Sequence, residues 1–196
     1  MARDDAFGYV LAGGRSRRMG QDKALLRVRG ETLVERALGT MRKVVSEVAI
    51  VGDRPDLAHF AEIVADVASG VGPVAGLVAG TGHCTREWAL FMPVDVPEMS
   101  AETLTQMLDA ARESDALGLV PLADGIPQPL CVVLHRTLHD GLAQQMLSGE
   151  RKVLRALEGA AGSRLIFMPM RGLDQFANLN TPEDVAEYDG HEALPS

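Results

Sequence analysis

Several features that would assign a chain of 196 residues quickly are scarce or missing. Aromatics make up 4% of it, with Trp88 the single tryptophan, which argues against a binder that stacks the bases of a single strand. A net charge of −8 opposes a general affinity for nucleic acid, so any anionic ligand must be held by a local cluster of cations. The two cysteines, Cys84 and Cys131, are far apart, match no zinc spacing and offer no disulfide framework. They read as small apolar residues in a reducing compartment. No uninterrupted apolar run reaches the length of a membrane span. The start, MARDDAFGYV, places acidic residues before a very short apolar run, unlike a secretion signal. A cytoplasmic protein is expected, with neither membrane nor nucleic acid as partner.

What is present is concentrated near the N-terminus, in FGYVLAGGRSRRMGQDKALL. The apolar run Tyr9-Val10-Leu11-Ala12 has the character of a buried strand. Gly13-Gly14 then allows a tight turn and close approach to a ligand. From Arg15 to Lys23, four cations (Arg15, Arg17, Arg18 and Lys23) face one acid, Asp22, a local balance of +3. A small-residue loop dense in positive charge, placed directly after a strand, suits a polyphosphate. The alternative is a glycine turn followed by a solvated basic face. The P-loop signature G-x-x-x-x-G-K-[ST] does not fit, because five residues separate Gly14 from Gly20 and Gln21-Asp22 follow. This stretch also contains no G-x-G-x-x-G, which weakens a dinucleotide-dependent oxidoreductase.

Further along, strands and helices alternate. Strands are expected at about Phe7–Ala12, Val48–Val51, Ile63–Ala65, Trp88–Met92, Leu117–Leu122, Leu130–Leu134 and Arg164–Met168. A helix from Thr32 would bury Leu33, Ala37, Leu38 and Met41. Gly70 to Gly76 reads as a loop entering a helix with Pro73 at its first position. Ser100 is a plausible N-cap for a helix to about Ala111. A helix over Thr137–Leu147 and a short one after Lys152 follow, and Thr181-Pro182 would start another. The pattern predicts an α/β fold with a mainly parallel sheet covered on both faces. Ligands of such sheets bind beyond the C-terminal strand edges, at a switch in strand order, which would put Gly13-Gly14 and Asp95 on one rim. Residues 1–189 are expected to form one domain, and 190–196 a frayed tail.

Asp95 is the leading candidate for catalysis. In Pro93-Val94-Asp95-Val96-Pro97, two prolines restrict its direction at a strand end, as a hard metal ligand requires. The competing reading is an Asp that starts a turn.

LAGGRSRRMGQDKALL resembles the L-A-G-G-x-S-x-R-M-G-x-D-K pattern of molybdenum cofactor guanylyltransferases. GPVAG, PVDVP, GERKV and NLNTPEDV follow in that family's order and extend the resemblance over almost the whole chain. It implies a single Rossmann-like three-layer domain, of the nucleotide-diphospho-sugar transferase type. The implied reaction transfers GMP from GTP to molybdopterin or Mo-molybdopterin, giving molybdopterin guanine dinucleotide and pyrophosphate. Molybdoenzyme maturation proteins are then possible partners. Carried over residue by residue, Leu11, Ala12, Gly13, Gly14, Lys23, Asp66 and Asp95 would bind the nucleotide, although Asp66 could simply begin a turn. Arg18 and Lys23 would neutralise the triphosphate, and Asp95 would hold Mg²⁺. Arg151, Lys152, Asn178 and Asn180 match positions on the pterin side, Asn180 with a further role at the metal. For these four the alternatives are a solvated helix start and turn or cap chemistry. The chain departs from the pattern at Val51-Gly52, where many relatives have Asn, and at Gln128-Pro129, where they often read His-Pro. Competing functions are a related nucleotidyltransferase with another phosphate acceptor or CTP, and a non-catalytic nucleotide-binding module.

Overall fold

The N-terminal apolar run forms β1 (Arg3–Leu11), and its alternating side chains set the layers of the protein. Ala6 and Val10 join one buried cluster, Phe7 and Tyr9 the other, because successive strand residues point to opposite faces. The computed structural model describes residues 3–13, 22–68, 70–179, 184 and 188. The stretch 14–21, the expected cap at Thr181-Pro182 and the tail 190–196 therefore lie outside the described residues.

After β1 come β2 (Arg27–Val28), β3 (Glu31–Thr32), α1 (Leu33–Arg42), β4 (Val45–Val51) and β5 (Glu62–Val64). Next are α2 (Pro73–His83), β6 (Trp88–Pro93), α3 (Ala101–Arg112), β7 (Gly118–Ala123) and β8 (Ile126–Pro127). The remainder is β9 (Val132–His135), α4 (His139–Leu147), α5 (Val153–Ala161) and β10 (Leu165–Met170). Among the described residues, the main sheet runs β10-β7-β9-β6-β1-β4-β5, with β8 folded back on β7. The pairs β1–β4, β1–β6, β4–β5 and β7–β10 are parallel, whereas β9 is antiparallel to both of its neighbours. Helices α1 and α3 bury Leu33, Leu38, Met41, Leu104 and Met107 on one face of this mainly parallel sheet. On the other face, α2, α4 and α5 bury Val74, Leu77, Leu142, Ala156 and Leu157. The result is the three-layer α/β arrangement expected from the sequence.

Local chemistry explains the helix starts. Thr32 caps α1 in a reciprocal box: its hydroxyl accepts from Glu35 N–H at 3.3 Å, and Glu35 Oε2 accepts from Thr32 N–H at 2.8 Å. Ser100 caps α3 through Thr103 N–H at 3.0 Å, and Pro73 opens α2. Helix α2 is buried from Val74 to Thr81 and includes glycines that permit close packing. A Cβ on Gly80 would stand 2.5 Å from the Phe91 ring.

The structure revises several boundaries. β1 reaches back to Arg3 because Arg3 still pairs with Val45. β9 starts at Val132 rather than Leu130, since Cys131 N–H is turned toward Gln128 O. Arg136–Leu138 is a 3₁₀ turn ahead of α4. The β7–β8 hairpin was not anticipated, although Asp124-Gly125, both at positive φ (48° and 84°), is the dipeptide that such a turn favours.

The topology points to one place. From β1 the chain proceeds outward through β4 and β5, then returns through α2 to β6 on the other side of β1. The crevice past the C-terminal ends of β1 and β6 is therefore the switch point in strand order.

Candidate active site

Two segments leave the sheet side by side at this crevice. Leu11 pairs with Pro93 in the sheet register, and Val94 N–H then donates to Leu11 O at 3.0 Å. Asp95 follows immediately on β6. On the β1 side, Lys23 opens a 3₁₀ turn (Lys23–Leu25) capped by Asp22, whose Oδ1 accepts from Ala24 N–H at 3.0 Å. Lys23 Nζ reaches across to Asp95 Oδ2 at 2.5 Å, with 16% and 18% of the two side chains exposed. The sequence places these residues far apart, and the fold brings them into direct contact.

The neighbourhood of Asp95 is held from several directions. Its carbonyl accepts from Leu179 N–H at 3.0 Å, which draws the Asn178-Leu179 segment alongside it; Leu179 is buried and Asn178 exposed. Arg36 donates to Pro97 O at 3.5 Å, and Tyr188 donates to Glu98 on the same loop. Beneath lies Cys131, whose thiol is pushed far up by burial and by the negative charge of Asp95. It serves there as packing, as Cys84 does elsewhere in the core.

Asp66 approaches the crevice from β5. A Cβ on Gly13 would lie 3.6 Å from Asp66 Oδ2, and one on Gly76 would lie 3.5 Å from Oδ1. Its carboxylate thus stands between the loop after β1 and the first turn of α2. Burial, and then the charge of Asp53, raise its pKa above the ordinary carboxylate value. Among the described residues it makes no hydrogen bond or ion pair. Val51-Gly52 now has a packing reason. Gly52 has φ +142°, and a Cβ there would come within 3.0 Å of Gly13 N. The backbone of β4 can therefore lie directly against the Ala12-Gly13 turn.

Leu11, Ala12, Gly13, Lys23, Asp66 and Asp95 are all at this crevice, and Asn178 is beside it. Gly14, Arg18 and Asn180 lie outside the described residues. Arg151 and Lys152 are not in contact with the Lys23–Asp95 pair. Arg151 Nη1 donates to Met146 O (2.9 Å) and Glu150 O (3.0 Å), so it caps the end of α4, while Glu150 Oε1 accepts both of their backbone N–H groups. Their turn does lie on the same rim, because α4 climbs from the far end of antiparallel β9 and α5 descends from it. One residue escaped the sequence reading altogether: Arg54, buried to 3% exposure, bridges Asp22 and Asp56. An arginine in a turn-like Asp-Arg-Pro carries no sign of burial.

A lysine and a carboxylate in contact at the switch point of an open α/β sheet are an arrangement suited to nucleotide transfer. A family model for the MobA-like NTP transferase domain matches residues 8–161. The chain belongs to the MobA-like NTP transferase family. As a member it is a nucleotidyltransferase. A molybdenum cofactor guanylyltransferase of Serratia proteamaculans is 32% identical over 197 residues, spanning 97% of this chain and 98% of that protein. A protein of the same name from Yersinia pestis is 32% identical over 182 residues, with 90% and 91% covered. Among solved structures, molybdopterin-guanine dinucleotide biosynthesis protein A from Archaeoglobus fulgidus superposes with a TM-score of 0.77 at 26% identity, over 94% of this chain and 97% of that one. The MobA-like fold extends to a CMP:2-keto-3-deoxy-manno-octonic acid synthetase, with a TM-score of 0.74 at 13% identity over 96% and 98% of the two chains. Among the described residues, no helix of this MobA-like protein is long and apolar enough to cross a membrane.

Proposed function

We propose that this protein transfers GMP from GTP to molybdopterin, or Mo-molybdopterin, forming molybdopterin guanine dinucleotide and pyrophosphate. The observation that carries the proposal is the Lys23–Asp95 pair at the strand-order switch, in a MobA-like chain whose full-length relatives are molybdenum cofactor guanylyltransferases. An oxygen of the terminal pterin phosphate attacks the α-phosphorus of GTP, the α–β bridging bond breaks, and pyrophosphate leaves. The attacking oxygen is already ionised at neutral pH, so no general base is required. The difficulty is bringing two anions together in line, which positioning and charge address.

Lys23 supplies a cation to the triphosphate and the departing pyrophosphate, with Arg18 as a second. Asp66 and the backbone of Leu11, Ala12, Gly13 and Gly14 hold the nucleoside. Asp95 holds Mg²⁺. The chemistry of the donor suits that ion, since Mg²⁺ takes one or two hard carboxylates plus substrate phosphates, and Asp95 offers a carboxylate at the strand-order switch. When bound, the ion supplies charge neutralisation between the reacting phosphates. Asn178, beside Asp95, and Asn180 would serve the acceptor, with Arg151 and Lys152 further along the rim. In this proposal residues 1–189 act as one nucleotidyltransferase domain in the cytoplasm.

Incubation with GTP, Mg²⁺ and carrier-bound molybdopterin should yield the guanine dinucleotide and pyrophosphate. Formation of a dinucleotide only from CTP, or only on another phosphate acceptor, would replace this reading by the related transferase. GTP binding without turnover on any acceptor would leave a binding module.

A further inference from the structure

Arg54 has no part in the resemblance that led to the site, yet it is among the most thoroughly engaged side chains near it. Its Nε donates to both Asp56 oxygens, at 3.0 and 3.3 Å, and Nη2 donates to Asp56 Oδ2 at 2.7 Å. The same Nη2 donates to Asp22 Oδ2 at 2.5 Å, and Nη1 points to Ala12 O at 3.5 Å. Ala12 and Asp22 flank the Gly13–Gln21 stretch, which carries the basic loop. One buried guanidinium therefore joins both flanks of that stretch to the turn after β4. Asp22 is fixed on two sides, by Arg54 through Oδ2 and by Ala24 N–H through Oδ1. The next residue is Lys23, whose ammonium meets Asp95. A single chain of contacts thus runs from Arg54 through Asp22 to Lys23 and Asp95.

We infer that Arg54 is a positioning residue for nucleotide transfer, setting the separation of Ala12 and Asp22 so that Lys23 faces the phosphates of a nucleoside triphosphate. The inference rests on the proposed nucleotide reaction. A planar fork is needed because three acceptors in different directions must be met at once, which the point charge of a lysine cannot do. Asp56 keeps the guanidinium oriented even when Asp22 is altered. Removing Arg54 outright would leave two facing carboxylates with a lost partner and could unfold the turn. Asp22→Asn is the gentler perturbation, since Arg54 retains Asp56.

The test is a double-mutant cycle read by calorimetric affinity for GTP with Mg²⁺ and by kcat/KM for GTP. Arg54→Lys and Asp22→Asn are each made alone and together with Lys23→Ala. Each single variant should weaken GTP affinity about tenfold, while in the Lys23→Ala background the further loss should shrink to less than about twofold. A full tenfold loss in both backgrounds, or no loss in either, overturns the inference. If Arg54→Lys does not fold, Asp22→Asn decides alone. Failure of the wild type to turn over with molybdopterin would count against the proposed reaction; the affinity cycle still reads the role of Arg54.

Discussion

Replacing Asp95 by Asn separates the roles of the Lys23–Asp95 contact in stability and in turnover. The substitution keeps volume and an acceptor but removes the charge opposite Lys23 Nζ at 2.5 Å. Both side chains are less than a fifth exposed, so the pair lies between two limits. An exposed ion pair is worth about 0–1 kcal/mol, and stranding one partner of a buried pair costs about 3–5 kcal/mol. A cost of about 1–3 kcal/mol follows, which at roughly 2–4 °C per kcal/mol lowers Tm by about 2–12 °C. The effect on turnover should be larger, because a carboxylate that holds a catalytic metal acts on several kcal/mol of barrier. Three kcal/mol is already more than a hundredfold in rate. The assay measures dinucleotide formation against Mg²⁺ concentration, well below the Tm of the variant, with a thermal melt on the same preparation. Turnover within about threefold of wild type at saturating Mg²⁺ would refute the metal assignment, whatever the melt shows.

Lys23→Ala should weaken GTP binding and also slow transfer, since in the proposed reaction its charge faces phosphates before and during the transfer; unchanged calorimetric affinity would reduce it to a structural partner of Asp95. Gly13→Ala should fold normally, because among the described residues the new methyl meets only Asp66 Oδ2, at 3.6 Å, yet it should lower the GTP-to-CTP ratio in kcat/KM by roughly tenfold to a hundredfold. An unchanged ratio would move base selection toward Asp66 and Gly70–Gly76. Burial and Asp53 raise the Asp66 pKa, so the folded state binds that proton more tightly than the unfolded chain. Stability therefore falls as pH rises from the ordinary carboxylate value through the raised one, and Asp66→Asn should remove that slope and melt no lower than wild type at pH 7. A clearly lower Tm at pH 7 would contradict the account. Gly80→Ala gains about 1 kcal/mol of helix propensity but places a methyl 2.5 Å from the stacked Phe91 ring, so a net loss of up to about 2 kcal/mol should appear in denaturant melts; stabilisation would show that α2 can shift.

Much of this molecule could be read from the sequence. The apolar run Tyr9–Ala12, the helix spacing after Thr32 and Pro73 at the head of α2 are local signals, each deciding a conformation within a few residues. The common rim of the β1 loop and Asp95 followed from the α/β pattern, because parallel strands bring their C-terminal ends to one side. What remained hidden was non-local. No periodicity tells that β9 enters antiparallel between β6 and β7, since a short buried strand has the same composition in either direction. The burial of Arg54 depends on two carboxylates, one of them in a different segment, so its turn-like surroundings say nothing of it. At Gly52 the lack of a side chain looked like a missing contact, and only the approach of Gly13 shows what the glycine permits.

The hydrogen bond from Leu179 N–H to Asp95 O bears on how the protein is made. A ribosome releases β1, β4, β5 and β6 first, and their neighbouring positions in the sheet allow that half to assemble while synthesis continues. The carboxylate of Asp95 emerges early, but the segment that fastens its backbone emerges after β10. Phe176 and Leu179 also complete the apolar layer beneath α1 and α3. The crevice of a nascent chain is therefore left unfinished until the segment after β10 is added, and a chain cut short after β10 would carry Lys23 and Asp95 without the segment that holds the Asp95 backbone.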